Sequence, residues 1–398
     1  MRGAIGVDLD LDDAPASTVC DPLAAARAVA KGAAGRAPRH DHDAGFPADD
    51  VAALARSGLL GAPVPWEDGG AGLGAEPGAA ALCAVLTRIG YGSLALGRLY
   101  EGHVNALQLI ARHGSPGQRR RLFADACAGA LFGVWNTEPP GGGLTLGRDA
   151  DAVGDGLVLR GVKTFASGAG FVTRALVTAR DRAGDGSSML VVPLAPDTRA
   201  DLSAWRAHGM RASATGTLDF DGLRVGRDTV VGEPGAYFAQ PHFSGGAWRF
   251  LAVQLGGIEA VLDAWRAHLR ATKRGEDPHQ LARLGEGAVA VETARLWVER
   301  AAAAVGDVDA APDAVIAYVN LARTAVERAG LDTLQLAQRS VGLQGFLRDH
   351  PLERLSRDLA TYLRQPGPDF ALAEGARFVL RAPAEAGDLW RAREGVPH

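Results

Sequence analysis

Residues 137–170 concentrate the groups of this chain that could hold a cofactor; they read TEPPGGGLTLGRDADAVGDGLVLRGVKTFASGAG. Glycines 141–143 form one Gly-rich loop, and a Gly-Ala-Gly turn follows Ser167. Glycine lets the backbone come close to a ligand, and Ser and Thr hydroxyls supply hydrogen bonds. Because such glycines also form ordinary turns, they indicate a cofactor site only when flanking motifs support one.

Two other stretches match ligand-binding patterns less well. GAGLGA, residues 70–75, fits a dinucleotide-binding spacing, but no strand of useful length precedes it and no βαβ unit surrounds it, so we interpret it as a loop. RHDHD, residues 39–43, contains metal-ligating residue types without distant partners. It predicts a solvated segment between helices, and we predict no metal site.

Composition narrows the class of protein. The chain has 398 residues, of which 47% are hydrophobic and 22% charged, with a net charge of −4. No basic block could neutralise a nucleic acid, and no apolar run approaches the roughly 18 residues of a membrane helix. The start of the chain is too acidic for a signal peptide, and Cys20, Cys83 and Cys127 show no CxxC spacing. We therefore expect a cytoplasmic protein with reduced thiols that binds neither nucleic acid nor membrane.

Hydrophobic periodicity divides the chain into three parts. Helical spacing runs from about residue 22 to 127, with a helix start predicted at Pro47 ahead of two Asp residues. Short β-like runs such as LVLRGVKTF and SMLVVPL follow, and long helical stretches return from about residue 244. The prediction is a mainly α protein with a central β domain.

The predicted domains follow this division. Residues 1–45 form an N-terminal extension with a first helix, and residues 46–130 form an N-terminal helical domain. Residues 131–232 form a small β-barrel or sandwich, and residues 233–398 a C-terminal four-helix bundle.

Five motifs in this order resemble the acyl-CoA dehydrogenase superfamily. They are PVPWEDGGAGLG (63–74), NTEP (136–139), LRGVKTFASGAG (159–170), HGMRASATGTLDFDGLRV (208–225) and HPLERLSRDLATY (350–362). The likeness extends from about residue 46 to 380. One such motif is weak, but five at compatible spacing are specific. The resemblance implies a flavoprotein that binds FAD.

The resemblance places the flavin ring on the loop formed by Trp135, Asn136, Thr137, Gly142 and Gly143, and on Phe165 and Ser167. It implies that Thr137 bonds the pyrimidine side, that Phe165 stacks on a ring face, and that Ser167 reaches N5 or O4. Such donors stabilise the negative charge that a reduced flavin develops.

The same resemblance implies contacts between subunits. Arg274 matches an Arg that reaches the cofactor pyrophosphate, often from a neighbouring subunit. Gly342 and Gly345 would allow close backbone approach to the adenosine portion bound by the neighbour. A homodimer or homotetramer is therefore expected.

The usual catalytic Glu of the family is absent from both positions that the family uses. Gln365 and Pro366 stand at the common position, and Trp248 stands at the other, before Arg249. We predict Trp248 and Arg249 on the substrate side, and keep Gln365 and Asp369 as candidate catalytic groups. Asp369 could instead cap the helix that follows it.

Relatives without this Glu include monooxygenases that resemble dibenzothiophene monooxygenase and amino-sugar nitrososynthases, in which reduced flavin and O2 form a C4a-hydroperoxide. FASGAG resembles their Ser-Gly-Ala loop, and RQPGPD falls where many carry His-x-Pro-x-Asp. On the helix that precedes the β domain, His103 is a candidate acid or base. The alternative is a histidine that hydrogen-bonds a neighbour. Glu101, two residues away, faces another side of that helix.

Three functions stay open. The first, slightly favoured because Thr137, Ser167 and Arg274 suit a retained FAD, is oxidation of an acyl thioester or related small substrate with hydride transfer to flavin N5. The second is a monooxygenase fed with reduced flavin, FAD or FMN. The third is a non-catalytic flavin-binding paralogue. Gly143 replaces a Ser of the family, which favours a substrate without CoA over a CoA- or carrier-linked one.

Overall fold

The protein is described by a computed structural model that covers residues 21–74, 79–149, 156–181, 186–195 and 198–390. Cys20, the first twenty residues of the predicted N-terminal extension, Ala75 of the GAGLGA loop and residues 391–398 lie outside the described part. Cys83 and Cys127 are free thiols, and burial raises the pKa of Cys83 to about 12.

Five helices precede the β region. They are α1 (Pro22–Asp43), α2 (Ala48–Arg56), α3 (Ala79–Gly92), α4 (Leu94–His113) and α5 (Pro116–Cys127). Side-chain caps fix their starts: Asp21 accepts from two backbone amides of α1, Ser93 from one of α4, and Ser115 forms a capping box with Gln118. Helix α2 begins directly after Pro47, close to the predicted position. Residues 70–74 form a loop, as predicted.

The β region contains two sheets. Its strands are β1 (Phe132–Trp135), β2 (Thr145–Arg148), β3 (Leu157–Arg160), β4 (Val162–Ala166), β5 (Arg174–Asp181), β6 (Ser187–Pro193), β7 (Ala200–Asp201), β8 (Gly216–Asp219), β9 (Leu223–Val225) and β10 (Val230–Val231). The larger sheet has the order β10-β6-β5-β2-β3-β9, with β1 parallel to β5, and the smaller has the order β4-β8-β7. In the larger sheet, the paired strands β5 and β6 form the buried centre.

The C-terminal part is helical again. It consists of α6 (His242–Gly245), α7 (Trp248–Ala271), α8 (Pro278–Val305), α9 (Pro312–Val341), α10 (Pro351–Tyr362) and α11 (Pro368–Arg381). Helices α7, α8 and α9 pack on one another, α10 packs on α7, and α11 packs on α9. The predicted fold, helical at both ends with a central β region, is confirmed. Within the described ranges, no helix is long and apolar enough to cross a membrane.

Helix α10 joins the β region to the helical part. The Met210 amide donates to Asp358 at 2.7 Å, and the Gly209 amide donates to Thr361 Oγ1 at 3.0 Å. A Cβ on Gly209 would lie only 2.0 Å from the carbonyl oxygen of Arg357, so this contact requires glycine. These contacts of Gly209 and Met210 hold the 205–215 segment against α10.

The prediction for residues 39–43 was wrong. They form the last turn of α1, and Asp41 is buried. The Arg357 guanidinium lies 2.7 Å from Asp41 and 2.7 Å from Glu353. Asp41 of this polar segment therefore belongs to a buried ion-pair network, because its partner Arg357 comes from α10, more than 300 residues away.

The backbones of helices α3 and α7 approach each other closely where they cross, and a glycine lies at the contact on each helix. A Cβ on Gly256 would lie 2.1 Å from the carbonyl oxygen of Thr87, and one on Gly90 would lie 2.3 Å from that of Val253. Real Cβ atoms do not approach backbone this closely, so the two glycines set the distance between the N- and C-terminal helices.

We expect Gly256→Ala to lower the free energy of unfolding by about 2–4 kcal/mol, because the methyl group must push α3 away from α7. The loss should outweigh the roughly 1 kcal/mol by which Ala favours a helix over Gly. Gly285→Ala on α8 is the control, since no atom lies within 4 Å of its added Cβ, and it should be neutral or stabilising. Equal effects of the two variants in urea denaturation would contradict the close crossing.

Candidate functional site

The two loops predicted to hold a flavin ring lie side by side. Trp135 ends β1, and its buried indole donates from Nε1 to the Ser167 carbonyl at 3.0 Å. The Thr137 carbonyl accepts from the Thr164 amide at 3.0 Å. The Thr137 side chain is exposed, so its hydroxyl is accessible from outside. The structure thus brings the 135–137 loop and the 164–167 turn onto one surface.

Phe165 presents its ring outward from this surface. Its side chain is 61% exposed, and its backbone has a φ of +51°, a conformation that non-glycine residues rarely adopt. The edge of Trp205 meets the ring, with centroids 6.3 Å apart. Strain of this kind is kept where the surrounding structure imposes it, and here it turns a flat apolar ring to the outside. Such a ring suits stacking against a planar cofactor.

Ser167 is held by a second hydroxyl. Thr215 Oγ1 donates to Ser167 Oγ at 3.1 Å, and Thr215 in turn contacts the Ser213 hydroxyl at 2.7 Å. Because Ser167 accepts from Thr215, its own proton can be donated to an acceptor outside the protein. An exposed aromatic ring beside hydroxyl donors fits an isoalloxazine ring.

A buried lysine lies beneath the loop and was not predicted as a site residue. Lys163 Nζ bonds Glu138 at 2.8 Å, Thr178 Oγ1 at 3.1 Å and the Asn136 carbonyl at 3.1 Å. Thr178 also donates to Asn136 Oδ1 at 2.6 Å, so the Asn136 side chain is engaged inside the protein. Burial lowers the pKa of Lys163, and Glu138 opposes the shift. The signal was present in the sequence, because Glu138 and Lys163 both lie in family motifs.

Gly143 lies against the Glu138 carboxylate. A Cβ there would lie 1.9 Å from Glu138 Oε2, whereas one at Gly142 would meet no atom within 4 Å. The Leu144 amide donates to the same carboxylate at 3.0 Å. A side chain at position 143 would therefore have to displace the Glu138 carboxylate that pairs with Lys163.

The residues predicted to contact the far end of the cofactor lie together at the end of α9. The exposed Arg274 places Nη1 3.4 Å from the Ser340 carbonyl. Gly342 ends α9 with φ +74° and ψ −153°, a backbone conformation that glycine alone adopts readily. Gly345 is buried, and a Cβ on it would lie 3.0 Å from Leu352.

The structure does not support the predicted acid-base role of His103. The side chain is completely buried; Nε2 lies 2.7 Å from the Leu60 carbonyl, and Nδ1 accepts from the Phe132 amide at 3.1 Å. Both ring nitrogens are therefore used by the backbone, which fixes an Nε2–H tautomer. Burial lowers the pKa of His103 to about 4. The geometry favours the alternative: His103 ties α4 to the start of β1.

We expect the stability of the protein to fall as the pH drops from 6.5 to 4. His103 has a pKa of about 4 when folded and 6.5 ordinarily, so the unfolded chain binds more protons in this window. The difference corresponds to about 3 kcal/mol. His103→Gln should lower stability at neutral pH by about 1–3 kcal/mol through lost hydrogen bonds and should weaken this acid dependence. Urea denaturation between pH 4 and 7 measures both effects.

The exposed His279 provides the matched control, because His279→Gln should leave the pH profile unchanged. A His103→Gln variant with unaltered unfolding but without the acid limb of activity would contradict the structural role.

Arg249, predicted on the substrate side, belongs to a polar cluster that joins α4 and α7. Its Nε donates to Asn105 Oδ1 and its Nη1 to Gln108 Oε1, the latter at 2.6 Å. Asn105 also donates to Glu101, which the Arg98 guanidinium meets at 2.6 Å. Glu101 is nearly buried and was not predicted as a site residue. It faces α7 whereas His103 faces β1, in agreement with the predicted separation of the two faces.

The turn at the usual position of the catalytic Glu contains no free carboxylate. The Gln365 amide donates to the Tyr362 carbonyl at 2.8 Å and so ends α10. The Pro366 carbonyl accepts from Arg323. Asp369 is exposed in the first turn of α11, but the N-cap is Gly367 and no side chain caps this helix, so the expected Asp369 cap is not formed.

Comparison with known proteins identifies the family to which this chain belongs. Residues 23–130 match the acyl-CoA dehydrogenase N-terminal domain, and residues 233–369 match the acyl-CoA dehydrogenase C-terminal domain. Human mitochondrial short-chain specific acyl-CoA dehydrogenase is 30% identical over 79% of this chain and 77% of its own length. The chain therefore belongs to the acyl-CoA dehydrogenase family, whose members use FAD.

Similar proteins include enzymes of both reaction types. Dibenzothiophene monooxygenase from Rhodococcus erythropolis is 26% identical over 90% of this chain and 93% of its own length. The structure of TdsC from Paenibacillus sp. A11-2 with FMN and indole has a TM-score of 0.80 at 21% identity, covering 93% of this chain and 99% of TdsC. That likeness shows the fold alone. The family assignment gives a flavoprotein oxidoreductase and leaves the reaction to be argued from the site.

Proposed function

We propose that this protein is a flavin-dependent monooxygenase supplied with reduced flavin. The observation that carries the proposal is the α10–α11 turn, where the resemblance places Gln365 and Pro366 instead of the catalytic Glu and where the Gln365 amide is held by the Tyr362 carbonyl. The alternative position is the indole of Trp248. Removal of a proton from a substrate carbon needs a base within reach, whereas oxygenation with O2 and reduced flavin does not.

The ring surface supports flavin binding in this role. The outward ring of Phe165 would stack on the isoalloxazine, and the hydroxyls of Thr137 and Ser167 would bond its polar edge. When bound, the flavin supplies the electrons that activate O2. The protein groups hold and orient it, since Trp135 and Lys163 fix the two loops from beneath.

A second candidate is the dehydrogenase, and one observation favours it. Glu101 is a nearly buried carboxylate in the cluster between α4 and α7, and could act as a displaced base. Its oxygens are bound by Arg98 and Asn105, so accepting a proton would weaken a charge-assisted hydrogen bond. Because protonation of Glu101 would weaken these hydrogen bonds, we rank the dehydrogenase below the monooxygenase.

The test uses purified full-length protein loaded with FAD or FMN. We expect no anaerobic bleaching of the flavin by butyryl-, isobutyryl- or glutaryl-CoA. With reduced flavin and 18O2, we expect labelled oxygen in the product of dibenzothiophene, indole or methanesulfinate. Bleaching by a thioester that disappears in Glu101→Gln would establish the dehydrogenase instead. A colourless protein that takes up neither flavin would establish a non-catalytic paralogue without flavin.

Phe165→Ala checks the ring surface itself. Loss of the stacked ring should weaken flavin binding about tenfold, as measured by fluorescence titration. Phe370→Ala, which removes a similarly exposed ring on α11, is the matched control and should bind flavin normally.

We also propose a homodimer or homotetramer that includes the end of α9. Beside Arg274 and Gly342, the side chains of Leu343, Phe346 and Leu347 are all more than half exposed. A contiguous apolar patch of this kind is typical of an interface. Phe346→Glu should therefore lower the molar mass seen by light scattering, whereas Val308→Glu, an exposed change in the α8–α9 loop, should not. An unchanged mass for Phe346→Glu would exclude this surface from the interface.

A further inference from the structure

A buried carboxylate of α10 holds one residue of the 205–215 segment in an unusual backbone conformation. Asp358 is 5% exposed; its Oδ1 accepts from the Met210 amide at 2.7 Å, and its Oδ2 lies 3.1 Å from the Arg354 guanidinium. Met210 has a φ of +56°, in the left-handed region that non-glycine residues rarely adopt. A charge-assisted hydrogen bond inside a protein is comparable in strength to the cost of this conformation, so Asp358 can keep Met210 in it.

The carbonyl of Met210 fixes two further side chains. It accepts from Trp205 Nε1 at 3.1 Å and from the Ser213 hydroxyl at 2.8 Å. The amide and the carbonyl of Met210 are separated by a single Cα, so the direction of the carbonyl follows from the anchored amide and the left-handed backbone angles. Asp358 therefore determines where Trp205 and Ser213 find their acceptor.

These two side chains lead to the two functional groups of the proposed flavin surface. The edge of Trp205 meets the Phe165 ring, with centroids 6.3 Å apart. The Ser213 hydroxyl contacts Thr215 Oγ1 at 2.7 Å, and Thr215 donates to the Ser167 hydroxyl at 3.1 Å. One branch thus bears on the ring and the other on the hydroxyl.

The backbone of the 164–170 turn rests on the same segment. The Gly168 amide donates to the Ser213 carbonyl at 2.9 Å, and the Ala169 amide donates to the Ala214 carbonyl at 3.0 Å. Ala214 is a second non-glycine residue with positive φ, at +44°. A shift of the segment would therefore move the turn that carries both the ring and the hydroxyl.

We propose that Asp358 is a positioning residue for a bound flavin. Through Met210 it sets the tilt of the Phe165 ring and the direction in which Ser167 presents its hydroxyl. Groups that are already oriented lose less conformational freedom when a ligand binds, so this arrangement increases flavin affinity. The inference rests on the flavin binding of the proposed function and does not depend on which reaction follows.

Fluorescence titration of the flavin-free full-length protein with FAD and FMN tests the proposal, with urea denaturation measured beside it. Asp358→Ala should weaken flavin binding about tenfold. Asp358→Asn keeps an oxygen for the Met210 amide and should restore most of the affinity, although it lowers stability because Arg354 loses its charged partner. Asp50→Ala is the matched control. Asp50 is a fully buried carboxylate paired with Arg36 at 2.6 Å, so its loss should lower stability and leave flavin affinity unchanged.

A double-mutant cycle separates positioning from a general loss of stability. In a Phe165→Ala background the ring to be oriented is absent, so Asp358→Ala should weaken flavin binding less than about threefold there. Thr361→Val provides a milder variant if Asp358→Ala does not fold. It removes the acceptor of the neighbouring Gly209 amide from a half-buried side chain and should weaken flavin binding several-fold.

Unchanged flavin affinity in folded Asp358→Ala would overturn the inference, as would an equal loss in the two backgrounds. If Asp358→Ala does not fold, unchanged affinity in Thr361→Val has the same meaning. The proposed function fails separately: flavin binding that depends on Asp358 but gives no incorporation of 18O would reject only the monooxygenase. A parent protein that binds neither flavin would overturn the flavin surface and this inference together.

Discussion

The buried ammonium of Lys163 is the constraint on which the proposed flavin surface depends. Its side chain has no accessible surface, so the charge must be compensated within the protein. Glu138 provides the compensation at 2.8 Å, and this pairing draws the 136–144 loop back onto β4. Two consequences follow. A side chain at position 143 would meet the Glu138 carboxylate, and Thr137 is left exposed on the outer side of the loop.

Helix α4 serves the site with two different faces. His103 turns to the β region, where both nitrogens bond backbone groups, while Glu101 turns to α7 and its charged cluster. Two residues along a helix are rotated by about 200°, so the two polar groups cannot act together. One face fixes the position of β1, from which the Trp135–Thr137 loop continues, and the other carries Asn105, which bonds Arg249 of α7.

The proximity of the residues in the proposed flavin surface could be predicted from sequence because its groups lie within short motifs. Thr137, Phe165 and Ser167 come together through hydrogen bonds between loops that the motifs already identify. The charged cluster between α4 and α7 could not be predicted in this way. Arg249 meets Asn105 across 144 positions, and neither residue carries a local signal for the other. Asp41 was misinterpreted for the same reason, since its partner Arg357 lies on a distant helix.

The departure from the family pattern lies at the catalytic base. A thioester dehydrogenase needs a carboxylate at the carbon that loses its proton and an apolar space for the acyl chain. Here Gln365 and Pro366 stand where the resemblance places that carboxylate, and Trp248 stands at the alternative position. The chain thus keeps the residues of the proposed flavin surface and lacks the carboxylate at both positions that the resemblance gives for it. The proposed oxygenation needs the first of these features and does not depend on the second.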